Sequence, residues 1–387
     1  MSVTAPKGFR AAGVACGVKD SGDPDLALVV ADATAGAAGV FTQNKMTAAP
    51  VQVSREHLRR TGGRARAVVL NSGNANAATG AAGLADAQAM CAAVGEALAV
   101  DPHEVLVCST GLIGIPLPID RIVAGVPQAA AALGPDDEHG RAAAEAIRTT
   151  DTFAKEVVVR RPGFTVGGMA KGAAMLAPNM ATMLAVLTTD AAAGHDALLH
   201  ALRHGVDTTF NAMTTDGCTS TNDTVLLLAS GVAGPVDPDE LAGAVWEACQ
   251  SLAEQMVLDA EGATKSVWMK VVGAASDHEA MVGARKVAHS NLCKCSWYGK
   301  DPYWGRIASE LGSAGIEFEQ ERIRISYGGV VVADGGVEVD HDREAVAEHM
   351  EGRYLEIVAD LGVGDGEGSI YTNDLTHAYV DENMGTS

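Results

Sequence analysis

A turn signal followed by a short apolar run, within residues 171–190, constrains the fold of this chain more than any other stretch. Residues 183–187 (MLAVL) have the length and composition of a buried β-strand. Pro178 and Asn179, just before the run, are typical of a turn. Thr182 therefore lies where a turn becomes a core strand, and as an ordinary β-branched residue it would simply open that strand.

Thr182 has a second interpretation, as a nucleophile. A threonine hydroxyl needs a base to become reactive, and no histidine lies close to Thr182 in the sequence. Cleavage of the peptide bond between Ala181 and Thr182 would supply one, because the freed α-amine, with a pKa of about 8, can accept the hydroxyl proton. The residues of this stretch alone leave both interpretations open.

Two other apolar runs are each followed by a polar loop. Residues 67–70 (AVVL) lead into the Asn- and Gly-rich residues 71–80, and residues 105–108 (VLVC) lead into STGLIG. Such loops can be ordinary turns, or they can expose backbone N–H groups to a ligand. Thr110 and Gly111 could aim a hydroxyl and an N–H at one point, as an oxyanion hole requires.

A helix start is also readable near residue 237. Asp237 is a good N-cap, Pro238 suits the first turn, and an apolar residue recurs every three or four positions afterwards. The predicted core-facing stripe consists of Leu241, Val245, Cys249, Leu252 and Met256.

The composition is that of a globular protein with a large core. The 387 residues allow two or three domains, or one large layered domain, and the aromatic content of 4% means that small aliphatic side chains must fill the core. A formal net charge of −21 argues against a nucleic acid or an anionic membrane as partner.

Seven scattered cysteines without a Cys-x-x-Cys pair fit reduced thiols. The N-terminal residues contain no apolar stretch of signal-peptide length. We expect a cytoplasmic protein that has no metal site and needs no cofactor.

The segment around Thr182, PNMATML, resembles the self-cleavage site of the ornithine acetyltransferase family, the glutamate N-acetyltransferases of arginine biosynthesis. Matches to that family extend over nearly the whole chain. Besides the cleavage segment they include residues 4–13, 71–80, 211–228, 261–265 and 301–306.

The resemblance implies a fold and an assembly. The expected fold is α/β, with stacked β-sheets flanked by helices in α/β/β/α-type layers. The chain would cleave itself into two intertwined chains, 1–181 and 182–387, with Thr182 as the new N-terminus. Two copies of each chain are expected to form a heterotetramer.

The resemblance also implies a reaction. An acetyl group would move from N2-acetylornithine to glutamate through an acetyl-Thr182 intermediate, with Thr110 and Gly111 as the oxyanion hole. The sequence leaves open whether acetyl-CoA is a second donor. Because it has 28 Lys and Arg against 49 Asp and Glu and no Walker-type loop, we expect acetylornithine to dominate.

Six residues are implied to bind the substrates, the first being Thr182 itself. Lys171 would bind the carboxylate, a role that suits its point charge, and Glu261 would face an ammonium group. The other three implied ligands are Thr150, Asn383 and Ser387. Residue 303 departs from the family pattern, since the resemblance predicts asparagine where this chain has Tyr303.

Two alternatives remain at this point. An aminopeptidase or amidohydrolase of similar fold, with the same self-generated nucleophile, would pass its acyl group to water, and a competition assay would reveal it. A non-enzymatic metabolite-binding protein would keep an intact chain and run as one band on a denaturing gel.

Overall fold

The computed structural model describes residues 2–175 and 183–384, so Ala181, Thr182 and Ser387 lie outside the described residues, as do Pro178 and Asn179 of the predicted turn. Within the described part the strands are β1 (Phe9–Val14), β2 (Leu26–Phe41), β3 (Arg64–Asn71), β4 (Val105–Ser109), β5 (Lys155–Arg161), β6 (Phe164–Lys171), β7 (Leu184–Ala192), β8 (Thr224–Pro235), β9 (Ser266–Ala274), β10 (Arg324–Tyr327), β11 (Val330–Asp334), β12 (Val337–Glu338), β13 (Tyr354–Asp360) and β14 (Gly366–Asn373).

The helices of the same part are α1 (Ala49–Thr61), α2 (Gly80–Leu98), α3 (Ile119–Ala131), α4 (Asp137–Ala146), α5 (His195–Thr208), α6 (Pro238–Leu258), α7 (Asp277–Ala288), α8 (Asn291–Tyr298), α9 (Trp304–Gly312), α10 (Arg343–Glu351) and α11 (His377–Glu382). The three apolar runs predicted as strands lie in β3, β4 and β7, the last of which begins one residue later than predicted.

The chain forms two compact units. Residues up to 211 and residues 218–256 form the first, and residues 212–217 and 257–384 form the second. Each unit contains one β-sheet with helices packed on it. The predicted α/β class, with sheets flanked by helices, is confirmed.

The sheet of the first unit has the strand order β4-β3-β2-β8-β7-β6-β5, and β1 pairs with β2 at its side. Two of its pairs are parallel, β3 with β4 and β7 with β8. Parallel neighbours need a crossover connection, and α2 and α5 provide these connections. The parallel pairs therefore bring the loops after β3 and β4 to the same edge of the sheet.

Both faces of this sheet are covered in the region of β2, β3 and β4. Leu28, Val69 and Val107 point to the face that packs against α1, α2 and α3. Their sequence neighbours, such as Val68 and Leu106, point to the opposite face, where α4 packs. Burial on both faces explains why these strands read as unbroken apolar runs.

β7 lies in the interior of the first sheet, between β6 and β8. Its residues from Leu184 to Ala191 are all buried. β6 runs antiparallel to it, with Lys171 opposite Leu184. The predicted cut between residues 181 and 182 falls between these two hydrogen-bonded strands, so the proposed chains do not coincide with the two compact units.

The sheet of the second unit has the order β12-β11-β10-β13-β9-β14, and its pair β9–β13 is parallel. Helices α7 to α10 contribute to one apolar core on this sheet. Trp297 from α8 and Tyr327 from β10 are fully buried there. The first unit buries three phenylalanines, Phe9, Phe164 and Phe210, among mostly aliphatic side chains.

Helix α6 has the start and the buried face that the sequence predicts. The Asp237 carboxylate accepts the Asp239 N–H at 2.8 Å, which caps the first turn. The predicted stripe is almost completely buried: Leu241, Val245, Cys249, Leu252 and Met256.

Among the described residues, no helix has the length and apolar character needed to cross a lipid bilayer. All seven cysteines are present as free thiols.

The structure assigns a place to Tyr303, whose role the sequence leaves open. Tyr303 is the N-cap of α9, and its side chain makes no capping hydrogen bond. Its exposed ring lies 5.7 Å from the Arg306 guanidinium. Asparagine at an N-cap accepts a backbone N–H of the first turn, which tyrosine cannot do.

We expect Tyr303→Asn to be more stable than Tyr303→Ala by about 1 kcal/mol, because both variants lose the ring contact but only Asn can cap α9. Thermal unfolding of the two variants, compared with each other, measures the cap alone. Equal midpoints would contradict a capping role for position 303.

Candidate active site

The loops that follow β3 and β4, residues 71–80 and 109–114, pack against each other. The Thr110 N–H donates to the Asn71 carbonyl oxygen at 3.0 Å. The Asn71 side chain donates to the Asn74 carbonyl oxygen at 2.9 Å, which holds its own loop in a turn. Thr110 is buried, as are both asparagines. The predicted Thr110–Gly111 pair is thus part of a double loop, formed by residues 71–80 and 109–114, at one edge of the first sheet.

No residue with a side chain fits at position 111. Its φ is +130°, a region that favours glycine. A Cβ at this position would lie 2.3 Å from the carbonyl carbon of Gly73. Glycine is therefore required for the two loops to approach each other.

Asn222, just before β8, locks a third segment onto this double loop. Its side-chain amide donates to the carbonyl oxygens of Ala75 at 2.6 Å and Ser109 at 2.9 Å, one from each loop. Its side-chain oxygen accepts the Thr221 hydroxyl at 2.6 Å. The polar stretch before β8 therefore fixes the position of Thr110 relative to β7 and β8.

Asp223 follows Asn222 and connects this segment to the start of β7. Its carboxylate accepts the Met183 N–H at 3.1 Å, and the residue is 1% exposed. Burial raises the pKa of the Asp223 carboxyl well above its usual value, against the opposing effects of the Ser220 hydroxyl, the Met183 N–H and the Lys171 ammonium. Met183 is the residue after Thr182, so this carboxyl is hydrogen-bonded to the neighbour in sequence of the proposed nucleophile.

Lys171 is the last residue of β6 and is buried. The pairing of β6 with β7 places it opposite Leu184, two residues beyond Thr182. Its ammonium group acts electrostatically on two buried carboxylates, Asp151 and Asp223. Lys171 is thus a buried lysine beside the first residue of β7.

Asp151 organises the residues around Lys171. Its carboxylate accepts the Lys155 ammonium at 2.6 Å and the Gly172 N–H at 2.7 Å, and both charged side chains are fully buried. Burial opposes ionisation of Asp151, but the ammonium groups of Lys171 and Lys155 outweigh it and lower its pKa to about 2. The Asp151 carboxylate is therefore ionised beside two buried lysine side chains, Lys155 and Lys171.

The second unit brings together two of the predicted ligands. The Asn383 side-chain amide donates to the Glu261 carboxylate at 2.8 Å. It also donates to the Tyr379 carbonyl oxygen at 2.9 Å, one turn back in α11. Glu261 is almost fully buried, whereas Asn383 is exposed. A carboxylate and an amide thus form one polar pair in this unit.

The structure places the predicted site residues in different parts of the chain and leaves three of them undescribed. Thr110, Gly111 and Lys171 lie around the start of β7 and β8 in the first unit, and Glu261 pairs with Asn383 in the second. Thr150 is exposed, in the loop that Asp151 anchors through the Thr149 N–H at 3.1 Å. Three predicted residues lie outside the described residues: Ala181, Thr182 and Ser387.

Sequence reasoning missed three buried polar residues of this region: Asn222, Asp151 and Asp223. Asn222 and Asp223 lie in residues 211–228, a stretch that matches the family and for which the sequence predicts no individual role. Asp151 lies in the same short loop as Thr150, the residue that the family resemblance implies as a ligand. An acid or amide directly before an apolar strand is the one signal that could have identified Asp223.

Known proteins that resemble this chain agree with the sequence-based expectation. The model of the ArgJ family matches residues 10–385. "Arginine biosynthesis bifunctional protein ArgJ" from Streptomyces avermitilis is 50% identical over 391 residues, covering 100% of both chains. The protein of the same name from Thermobifida fusca is 48% identical over 389 residues, again covering 100% of both.

Two solved structures are also similar. One is ornithine acetyltransferase from Mycobacterium tuberculosis in complex with ornithine, 52% identical, which covers 46% of this chain and 95% of its own, with a TM-score of 0.45. The other is the ArgJ protein from Bacillus halodurans, 37% identical, which covers 51% of this chain and 95% of its own, with a TM-score of 0.48. Because the family model spans almost all of the chain and full-length relatives share about half of its residues, the chain belongs to the ArgJ family.

Proposed function

We propose that this protein is the glutamate N-acetyltransferase of arginine biosynthesis, which moves the acetyl group of N2-acetylornithine to glutamate through an acetyl ester of Thr182. The observation that carries the proposal is the convergence of three features at the start of β7. These are the Thr110–Gly111 loop, the buried Lys171 cation and Met183, the residue after Thr182. The full-length similarity to ArgJ proteins supports the same reaction.

Activation begins with hydrolysis of the peptide bond between Ala181 and Thr182. Ala181 keeps the new carboxylate, and Thr182 gains a free α-amine with a pKa of about 8 in the absence of its surroundings. That amine is in the same residue as the hydroxyl, so it can take the hydroxyl proton without help from a histidine.

In the first half-reaction, the Thr182 oxygen attacks the acetyl carbonyl carbon of acetylornithine while its α-amine takes the hydroxyl proton. Negative charge then develops on the carbonyl oxygen, and the Thr110 hydroxyl and the Gly111 N–H donate to it. Collapse of this intermediate breaks the C–N bond, the proton passes to the leaving nitrogen, and ornithine departs. In the second half-reaction the glutamate amine attacks the acetyl ester and releases Thr182.

Lys171 gives both amino acids the same anchor in this scheme. Its ammonium binds the α-carboxylate of ornithine and then that of glutamate, which explains an exchange of the two at one site. We further propose Thr150 as a ligand from the loop that Asp151 anchors. Glu261, Asn383 and Ser387 complete the proposed ligands, with the Glu261 carboxylate suited to an ammonium group.

Lys171→Met should raise KM for acetylornithine and glutamate together by about 10–100-fold, as expected for loss of a hydrogen bond to a charged group worth about 1.5–3 kcal/mol. Met keeps the length of the side chain and removes the charge. Steady-state kinetics with each substrate varied in turn measure the effect.

Lys155→Met is the matched comparison, because it removes the other cation next to Asp151. It should lower the thermal midpoint without a comparable rise in KM. A rise in KM for one substrate alone after Lys171→Met would contradict a shared carboxylate site.

We propose that the cut chains, 1–181 and 182–387, remain together in one molecule and assemble as two of each. The strand pairs β6–β7 and β2–β8 support this, because each joins a strand from before the cut to one from after it. A cytoplasmic location is part of the same proposal, and the free thiols of all seven cysteines support it.

A competition assay tests the reaction. With acetylornithine as donor, acetylglutamate should form in large excess over free acetate, whereas a hydrolase would release mainly acetate.

Replacing acetylornithine by acetyl-CoA at saturating glutamate should lower kcat/KM strongly, since the chain is acidic and lacks a Walker-type phosphate loop. Equal kcat/KM for the two donors would overturn the preference for acetylornithine.

A further inference from the structure

The Asp223 carboxyl group has a position that the proposed reaction does not yet use. It accepts the backbone N–H of Met183 at 3.1 Å and is 1% exposed. Its second oxygen, Oδ2, makes no hydrogen bond of normal geometry with a described residue, although the Ser220 hydroxyl is close enough to favour the charged form. Because this buried carboxyl accepts the Met183 N–H, it holds that backbone amide in one orientation.

The backbone that carries Asp223 is itself held on two sides. The Thr42 N–H donates to the Asp223 carbonyl oxygen at 2.9 Å. The preceding Asn222 is bonded to the two loops around Thr110, through Ala75 and Ser109. Asp223 therefore connects the proposed oxyanion hole to the first residue after the proposed nucleophile.

The amide that Asp223 holds belongs to the peptide bond between Thr182 and Met183. A peptide group is planar, so fixing its N–H fixes the orientation of the whole group, including the carbonyl carbon of Thr182. A displacement of about 1 Å in a reacting group can reduce a rate by about 10²-fold.

We propose that Asp223 is a positioning residue for Thr182: by accepting the Met183 N–H it sets the orientation of Thr182 for chain cleavage and for acetyl transfer. This inference rests on the proposed function, in which Thr182 is the nucleophile. Asp223 acts through the backbone, so an acceptor oxygen of the same geometry is sufficient for the role.

Asp190 provides a matched control on the same strand. It is buried near the other end of β7, and its carboxylate also accepts backbone N–H groups, from Thr165 at 2.7 Å and Lys7 at 3.2 Å. Removing its carboxylate leaves two backbone N–H groups without this acceptor, far along the strand from Met183.

The experiment follows cleavage of freshly synthesised full-length protein on denaturing gels for the native chain and for Asp223→Ala, Asp223→Asn and Asp190→Ala. Asp223→Ala should slow cleavage about 10²-fold. Asp223→Asn keeps an oxygen that can accept the Met183 N–H and should remain within a few-fold of the native rate. Once cleaved, Asp223→Ala should show a lower kcat with KM unchanged.

Asp190→Ala should cleave at the native rate, even if its thermal midpoint falls. The proposal is overturned if Asp223→Ala cleaves within a few-fold of the native rate, or if Asp190→Ala is slowed equally. It is also overturned if Asp223→Asn is as slow as Asp223→Ala, since the carboxyl itself would then be needed. A native chain that never cleaves would instead refute the proposed function, which separates the two failures.

Discussion

Thr182→Ala protein should remain a single chain of 387 residues with no acetyl transfer, while the native protein separates into residues 1–181 and 182–387 on a denaturing gel. The reason is that the proposed function needs the Thr182 hydroxyl twice, in the cleavage that frees its α-amine and as the nucleophile of acetyl transfer. N-terminal sequencing of the smaller native products should give Thr-Met-Leu-Ala for one of them.

The same variant tests how the two chains are held. Because β7 pairs with β6 on one side and with β8 on the other, a cut at residue 181 leaves both products within one sheet. Native protein and Thr182→Ala should therefore elute at the same size under native conditions and differ only after denaturation.

Thr189→Ala is a suitable control for this experiment, since Thr189 is a buried threonine of β7 whose hydroxyl bonds to the Thr165 carbonyl oxygen at 2.8 Å. It should cleave normally. Unchanged circular dichroism in Thr182→Ala would exclude misfolding as the cause of the loss. An intact native chain with full activity would refute the mechanism.

Thr110→Ala should reduce kcat by about 10²–10³-fold and leave KM nearly unchanged. An oxyanion donor interacts with charge that develops only in the transition state, so its loss costs rate and not substrate binding. Thr110 is well placed for such a role, because its backbone is fixed by Asn71 and its neighbour Ser109 is bonded to Asn222.

Thr110→Ser keeps the hydroxyl and should recover most of the rate. Thr110→Ala is thus expected to lower kcat, whereas Lys171→Met is expected to raise KM. If Thr110→Ala raised KM for both substrates and left kcat intact, the roles of Thr110 and Lys171 would have to be exchanged. Steady-state kinetics of the three variants under one set of conditions decide the assignment.

The fold class and several elements could be predicted because their signals are local. Unbroken apolar runs predict the strands β3, β4 and β7, since strands buried on both faces need no polar alternation. Asp237 and Pro238 mark the start of α6, and an apolar stripe at helical spacing marks its buried face. Thr110, Gly111 and Lys171 were found through a family resemblance, because alone they look like turn residues and a surface lysine.

The sequence by itself determined which segments are strands and helices, and which family they resemble. Only the tertiary structure decided that Asp151 and Asp223 are buried near Lys171, Asp151 beside the end of β6 and Asp223 at the start of β7. Their positions depend on strand pairings between residues far apart in the chain, and an aspartate has the same local signature whether it ends in solvent or in a core. Burial opposes ionisation of Asp151, but the ammonium groups of Lys171 and Lys155 outweigh it and lower the pKa of that carboxyl, whereas burial raises the pKa of Asp223.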